Sequence, residues 1–511
     1  MKHFDYVVVG AGSAGCVVAA RLTEDSDSRV LLLEAGGEDT SDLIHTPSAW
    51  PALWGTEFDW NYSTEPQAGT AGSVHSWPRG KVLGGSSSIN AMVYLRGHRN
   101  DFDRWERGGA AGWGYSGVLP FFRRMEHVPG NEIDYRGRGG PITPSVASDP
   151  NPLSQVFLDA AAELSHPMTQ DFNGSVQEGA GWHELLIAGG KRLSAAAAYL
   201  HPVSGRPNLT VVTGARARRL LFRASRCVGV EYVHEGELTR VGAEAEVIVC
   251  AGAVDSPKLL LASGIGPAEH LREVGVEVVN DLPGVGQNLH DHPLLGYVVE
   301  ASREIPPGTA NHAEVSMLWR SEPGLPGPDM QFMFIHVPFH PPTLQSPANS
   351  YTIGIATVPR SRGWIKLSGS DPDRPPVINP NYLDDDYDVQ RLLLGIERAR
   401  ELNAARAFSG WRNKEVLPGR DVQSEAGLRQ FIAQGTGTYY HPVGTCKMGV
   451  DEMSVVNPHL QVHGMAGLRV ADASVMPTIV SVNTNAATLM IGEKASSLIR
   501  GDRLSADFRQ G

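Results

Sequence analysis

Along the chain, apolar positions gather into short β-branched runs near both ends and into alternating apolar and polar positions in the middle, and the two patterns predict different sheets. Phe4 to Val9 is an apolar run; Gly10-Ala11-Gly12-Ser13-Ala14-Gly15 follows, then small residues through about Leu22, then a second run, Val30 to Leu33, that ends in Glu34. Strand, glycine turn, helix and a strand closing on an acid make the opening βαβ unit of a doubly wound nucleotide fold. Runs at Leu209 to Val212, Ala217 to Phe222, Glu246 to Cys250 and Leu468 to Asp472 predict further strands there, and Ala251-Gly252-Ala253 opens a helix that places Pro257 in its first turn. Between about 301 and 434 the strands alternate, as in Tyr351 to Val358 and Trp364 to Leu367, before a helix over Asp388 to Asn403. That pattern predicts an antiparallel sheet with helices on one side. The fold class expected is α/β, with a nucleotide domain over residues 1–150, 205–300 and 435–511 and a second, α+β domain on an antiparallel sheet over 151–204 and 301–434. Residues 40–150, rich in Trp, Gly and Pro, are expected as loops and short helices packed over a ligand.

Composition narrows the function classes. The 511 residues are too many for one ordinary domain, and 41% hydrophobic with 20% charged residues is the balance of a globular protein with a large core. A net charge of -12 gives no general attraction to nucleic acid or anionic lipid. Cys16, Cys227, Cys250 and Cys446 lie far apart with no CxxC pair, which suits a reducing, cytoplasmic setting. The start of the chain lacks signal-peptide character, and no apolar run reaches the roughly 18 residues of a membrane span, so no transmembrane segment is expected.

Four motifs carry chemistry. In Gly10-x-Gly12-x-x-Gly15, glycines allow a tight turn, close approach of a pyrophosphate to the backbone and packing of helix on strand, while Glu34 can hydrogen-bond a ribose hydroxyl. This predicts a dinucleotide but does not choose between FAD and NAD. Pro78 to Met92, with Gly80, Gly84, Gly85 and Ser86 to Ser88 flanked by Arg79 and Lys81, can lay amides and hydroxyls against phosphates or a polar ring edge. His441, in Tyr440-His441-Pro442, sits in a loop stiffened by proline and can serve as a general base toward an alcohol; read alone, such a histidine is more often structural. Asn483-Thr484-Asn485 precedes a helix that ends at Arg500-Gly501, so the positive end of that helix dipole faces whatever lies beside Asn483. His290-Asp291-His292 has metal-ligand residue types, but its spacing and the following Pro293 fit a hydrogen-bonded loop better, and no metal site is expected.

In this order, and with Cys250 to Leu260 and Leu282 to Leu289 between them, the motifs resemble the glucose-methanol-choline family of FAD oxidoreductases over nearly the whole chain, most closely its choline dehydrogenase, choline oxidase and bacterial alcohol dehydrogenase branch. The resemblance implies a Rossmann-type FAD-binding domain and oxidation of a small alcohol by hydride transfer to flavin N5. It assigns the phosphate turn to Gly10, Gly12, Ser13, Ala14 and Gly15 and the ribose acid to Glu34, with Ala35 beside it. Further cofactor contacts fall on Trp60, on Gly80 and Val82 to Ser86, on Asn90, Ala91, Met92 and Val93, and on Ala217, Ala251 and Gly252. The late contacts are Tyr440, Asp472, Ala473 and Asn483 to Asn485, and the catalytic pair is His441 and Asn483. Some choline oxidases attach FAD through a histidine at the place of Ile89, so non-covalent FAD is expected here. Glu314 matches a carboxylate that choline-type members set near a quaternary ammonium, although an exposed strand glutamate fits the sequence better. The electron acceptor, whether oxygen, a quinone or another, stays open, and a homodimer is compatible. The competing expectations are a nicotinamide-dependent dehydrogenase, a redox-silent FAD-containing member of the hydroxynitrile lyase type, and a fatty-acid photodecarboxylase, the last disfavoured by the intact His441 and Asn483.

Overall fold

The computed structural model describes residues 1–130 and 134–501, and these build two seven-stranded sheets with several two-stranded ribbons. The first sheet runs in the order Leu209–Val212, Val30–Leu33, Lys2–Val9, Glu237–Val249, Arg226–His234, Arg216–Arg223, with Leu468–Val470 also on Glu237–Val249. Its core pairs are parallel. Parallel strands covered on both faces need side chains apolar on both faces, which is why Val7, Val8, Val30, Val247 and Ile248 are fully buried and read as unbroken runs. The strand expected at Glu246 to Cys250 is the end of the longer Glu237–Val249, whose first half pairs antiparallel with Arg226–His234 and whose last residues pair parallel with Lys2–Val9 and Leu468–Val470.

The helices Ser13–Leu22 and Asn485–Arg500 pack on each other, and Gly492 permits it: a Cβ there would sit 2.9 Å from both Ala14 O and Val17 Cβ. Pro257 departs from the expected first turn. The helix spans Gly252–Ala262, so Pro257 is interior and removes the N–H that would have bonded Ala253 O. The hydroxyl of Thr445 donates to that carbonyl instead, at 2.7 Å.

The second sheet is antiparallel, in the order Arg412–Leu417, Pro293–Ala301, Ser350–Thr357, Met330–Ile335, Ala313–Trp319, Gly179–Trp182, with Thr436–Thr438 also on Pro293–Ala301. Two of these strands, Pro293–Ala301 and Thr436–Thr438, come from segments expected in the nucleotide domain, because each pairs with the other rather than with the first sheet. Trp364–Lys366, expected within this sheet, instead forms a separate ribbon with Val377–Asn379. The helix Asp386–Ala404 packs on the sheet near its middle strands.

Candidate active site

A cavity of about 290 Å³ lies where the two sheets meet. Strand pairing assembles its chemical end. Pro293 opposes Thr438 and His290 opposes Val443, so the segments 290–292 and 439–443 run antiparallel side by side, with His292 O accepting from Tyr439 N at 3.0 Å. Between those two anchors His441 is pushed toward the cavity, preceded by Tyr440 at φ 63°, a left-handed conformation that a non-glycine residue keeps only when its surroundings impose it. Asp291 holds this turn from beneath: it accepts from His441 N at 2.7 Å, from Thr438 Oγ1 at 2.5 Å and from the Tyr382 hydroxyl. Asn483 comes from the segment just before the helix Asn485–Arg500 and lines the same cavity.

The hydrogen bonds fix the ring protons of both histidines at this end. His292 Nε2 lies 2.9 Å from Val480 O, a pure acceptor, so Nε2 carries the hydrogen and His292 Nδ1 is a bare lone pair. That lone pair lies 3.0 Å from His441 Nδ1, which must then donate, leaving His441 Nε2 unprotonated. Nε2 faces Asn483 Nδ2 at 3.2 Å, and Gln331 Nε2 donates to Asn483 Oδ1 at 3.3 Å, which keeps the Asn483 N–H side toward the histidine. Burial holds both imidazoles neutral, pushing His292 down to about 3 and His441 well below its ordinary value, with His292 and Arg79 adding to the effect on His441. The site can therefore take a proton at His441 Nε2 and donate a hydrogen bond from Asn483 Nδ2 to the same ligand atom.

The other end is built from the first sheet. Gly10 (φ +98°) turns against the next strand, where a Cβ would sit 2.6 Å from Cys250 O. Glu34 accepts from Ala11 N and Gly36 N, each at 2.8 Å, and burial pushes its carboxyl up to about 7 against those bonds. Asp472 ties the Cys250 turn to the late loop, accepting from Gly252 N at 2.8 Å and from the Ser256 hydroxyl at 2.5 Å. The glycine-serine loop lies on the first turn: Gly84 N donates to Ala11 O at 2.8 Å, and a Cβ on Gly85 would strike Gly12 Cα at 2.6 Å.

Most residues expected to touch a cofactor line this cavity, Trp60, Ala217, Ala251, Ala473 and Thr484 among them. Gly15, Val82, Leu83 and Gly84 do not. A Cβ on Gly15 would lie 1.8 Å from Gly10 O, so that glycine serves helix-on-strand packing; Val82 is fully buried, and Leu83 N bonds Gly37 O. Glu314 is also displaced from its expected place. It is neither exposed nor in the cavity: it is fully buried and accepts from Asn151 N at 2.8 Å and Ser154 Oγ at 2.7 Å at the start of the helix Pro152–Glu163. The sequence marks Arg79 only as a flank of the glycine-serine loop and His290-Asp291-His292 only as a hydrogen-bonded loop, Trp50 and Trp54 carry no local signal, and no spacing joins His292 to His441, 149 positions away.

The cavity fits a dinucleotide on three observations. The helices Ser13–Leu22 and Asn485–Arg500 both begin at it without a side-chain cap, so their first N–H groups are left for a ligand. A Cβ on Gly252 would meet nothing within 4 Å, and the nearest atoms to one on Gly12 are 4.0 Å away, so the space beside both is open. Asn485, whose Oδ1 accepts from Ser13 Oγ at 2.7 Å, leaves its buried Nδ2 without a partner at the cavity wall.

An enzyme that holds a dinucleotide at one end of its cavity and a neutral histidine at the other is the class this fold defines. The GMC oxidoreductase models match residues 4–294 and 359–492, and the chain belongs to that family. It is 44% identical to the mitochondrial choline dehydrogenase of Homo sapiens, over 98% of this chain and 90% of that protein. It is 40% identical to an alcohol dehydrogenase [acceptor] of Pseudomonas putida, over 97% and 95%. The crystal structure of pyridoxine 4-oxidase from Mesorbium loti superposes with a TM-score of 0.95 at 38% identity, over 98% of this chain and 100% of that one. The chain is thus an FAD-dependent alcohol oxidoreductase, and the nicotinamide alternative falls with that assignment. Among the described residues no helix is long and apolar enough to cross a membrane.

Proposed function

We propose that the chain oxidises the carbinol carbon of a small alcohol to a carbonyl, with His441 and Asn483 acting together on the hydroxyl. The observation that carries this reading is the hydrogen-bond chain from Val480 O through His292 to His441, which leaves a bare Nε2 at the cavity beside an amide N–H. An entering hydroxyl donates to His441 Nε2 and accepts from Asn483 Nδ2. As the proton passes to Nε2, the Asn483 N–H stabilises the charge left on oxygen, and Gln331 keeps that amide from rotating. FAD, when bound, supplies the hydride acceptor at flavin N5. The first N–H groups of the two uncapped helices, together with Ser13 and Asn485, would hold its pyrophosphate and ring edge, and Glu34 its ribose. Ile89 carries no nucleophile, so nothing at that position ties FAD covalently. Electrons leave to an acceptor, oxygen or a quinone. The test is His441→Ala under anaerobic conditions: the variant keeps FAD and its visible spectrum but loses alcohol-driven bleaching by about 10²-fold or more, the contribution of a positioned base. Bleaching at the wild-type rate overturns the assignment.

A further inference from the structure

The half of the cavity nearest His441 differs from the nucleotide half in charge. Glu34, Arg216, Arg218, Asp255 and Lys258 line the cavity from the first sheet and its helix, and Asp472 lines it where its carboxylate is held by Gly252 N and Ser256 Oγ. Around His441 the wall is Trp50, Trp54, Leu294, Met333, Ile335 and Phe339, and the one charged side chain lining it, among the described residues, is the Arg79 cation, whose guanidinium donates to Tyr440 O at 2.7 Å. Asp291, the nearest acid, lies behind the His441 backbone with its oxygens already taken by three donors.

The strand geometry explains why no carboxylate faces this space. Ser316 opposes Met333 and Val315 opposes Phe334, so an unbroken ladder would set Glu314 opposite Ile335, whose side chain lines the cavity. A bulge between Ala313 and Val315 puts Ala313 there instead. Glu314 is turned to the far face, onto Asn151 and Ser154. Trp50 and Trp54 pack edge-on at 5.0 Å and Trp54 and Tyr440 lie tilted at 4.6 Å, so these rings cover part of one another.

We infer that the substrate is an uncharged alcohol with an apolar body, of the arylmethanol or medium-chain alkanol kind, and that quaternary ammonium alcohols are excluded. The inference rests on the alcohol-oxidising reading above and names the body that accompanies the hydroxyl. A cation entering here would shed water beside Arg79 with no anion in reach, whereas an apolar body exchanges water for Trp50, Ile335 and Phe339.

The test compares benzyl alcohol, 1-octanol and choline on the purified holoenzyme by anaerobic flavin reduction, with calorimetric binding of benzamide and tetramethylammonium as a readout independent of turnover. Benzyl alcohol or octanol is expected to exceed choline by about 100-fold in reduction efficiency, and benzamide alone to bind. Choline matching or exceeding them, or tetramethylammonium binding as tightly as benzamide, overturns the inference while leaving alcohol oxidation intact. Bleaching by none of the three, with dithionite still effective, overturns both. Glu314→Gln should leave the ratio of benzyl alcohol to choline within about twofold, and a selective loss of choline reduction of about tenfold in that variant would show the carboxylate reaching the substrate. Ala313→Glu, which restores a carboxylate opposite Ile335, should raise choline reduction relative to benzyl alcohol.

Discussion

The proton arrangement at His441 depends on a residue that touches neither cavity nor ligand, and His292→Phe tests it. Phenylalanine keeps the ring's bulk against Tyr439 but removes both polar atoms: Val480 O loses its donor in a buried bond of 2.9 Å, and His441 Nδ1 loses its acceptor in a part-buried bond of 3.0 Å. His441 is then free to carry its hydrogen on Nε2, where it has Asn483 for a neighbour and can no longer accept from a hydroxyl. The rate of flavin reduction should fall by about 10² to 10⁴-fold, the range spanned by a general base, with FAD content unchanged. His292→Gln, whose amide offers an acceptor and a donor, should recover part of the loss. Stability carries a second signature. His292 is held neutral at a value pushed down to about 3, so the folded state binds fewer protons than the unfolded one, and the stability this histidine contributes is present above its unfolded value and lost as pH falls. The wild type should therefore lose stability relative to His292→Phe by about 1.4 kcal/mol per pH unit from about 6.5 downward, read from urea midpoints. Because burial also holds His441 below its ordinary value, the acid limb of kcat/KM should lie under about 6.5. Flavin reduction by His292→Phe within twofold of wild type would refute the proton assignment.

What the sequence makes legible here is local. The strand, turn and helix of residues 4–34 follow from apolar period and glycine spacing alone, and His441 and Asn483 stand out because proline and a helix start flank them. What it hides is register. Pro293–Ala301 and Thr436–Thr438 each read as part of the nucleotide domain until they are seen to pair, and that pairing is what delivers His292 to His441. Glu314 looks available to a ligand because the bulge that turns it away depends on how two distant strands align, not on its neighbours in the chain. Pro257 looks like a first-turn proline because a hydroxyl from Thr445, far along the chain, repairs the gap it leaves.

Three further outcomes follow from single contacts. Gly15→Ala drives a methyl into Gly10 O, to 1.8 Å before relaxation, and should yield protein depleted of FAD, measured by the ratio of flavin to protein absorbance; full occupancy would contradict the packing role. Acid precipitation should leave the yellow colour in the supernatant, since Ile89 offers no bond to the flavin; colour kept in the pellet would contradict that. Thr445→Val removes the donor to Ala253 O inside the core and should cost about 1 to 3 kcal/mol, the penalty for a buried carbonyl left unpaired. The cause is separable from lost packing, because Pro257→Ala restores the N–H that the helix would otherwise aim at the same carbonyl. In that background the Thr445→Val penalty should shrink to a fraction of its value, and an equal penalty in both backgrounds would mean that the hydroxyl matters for something other than the gap left by the proline.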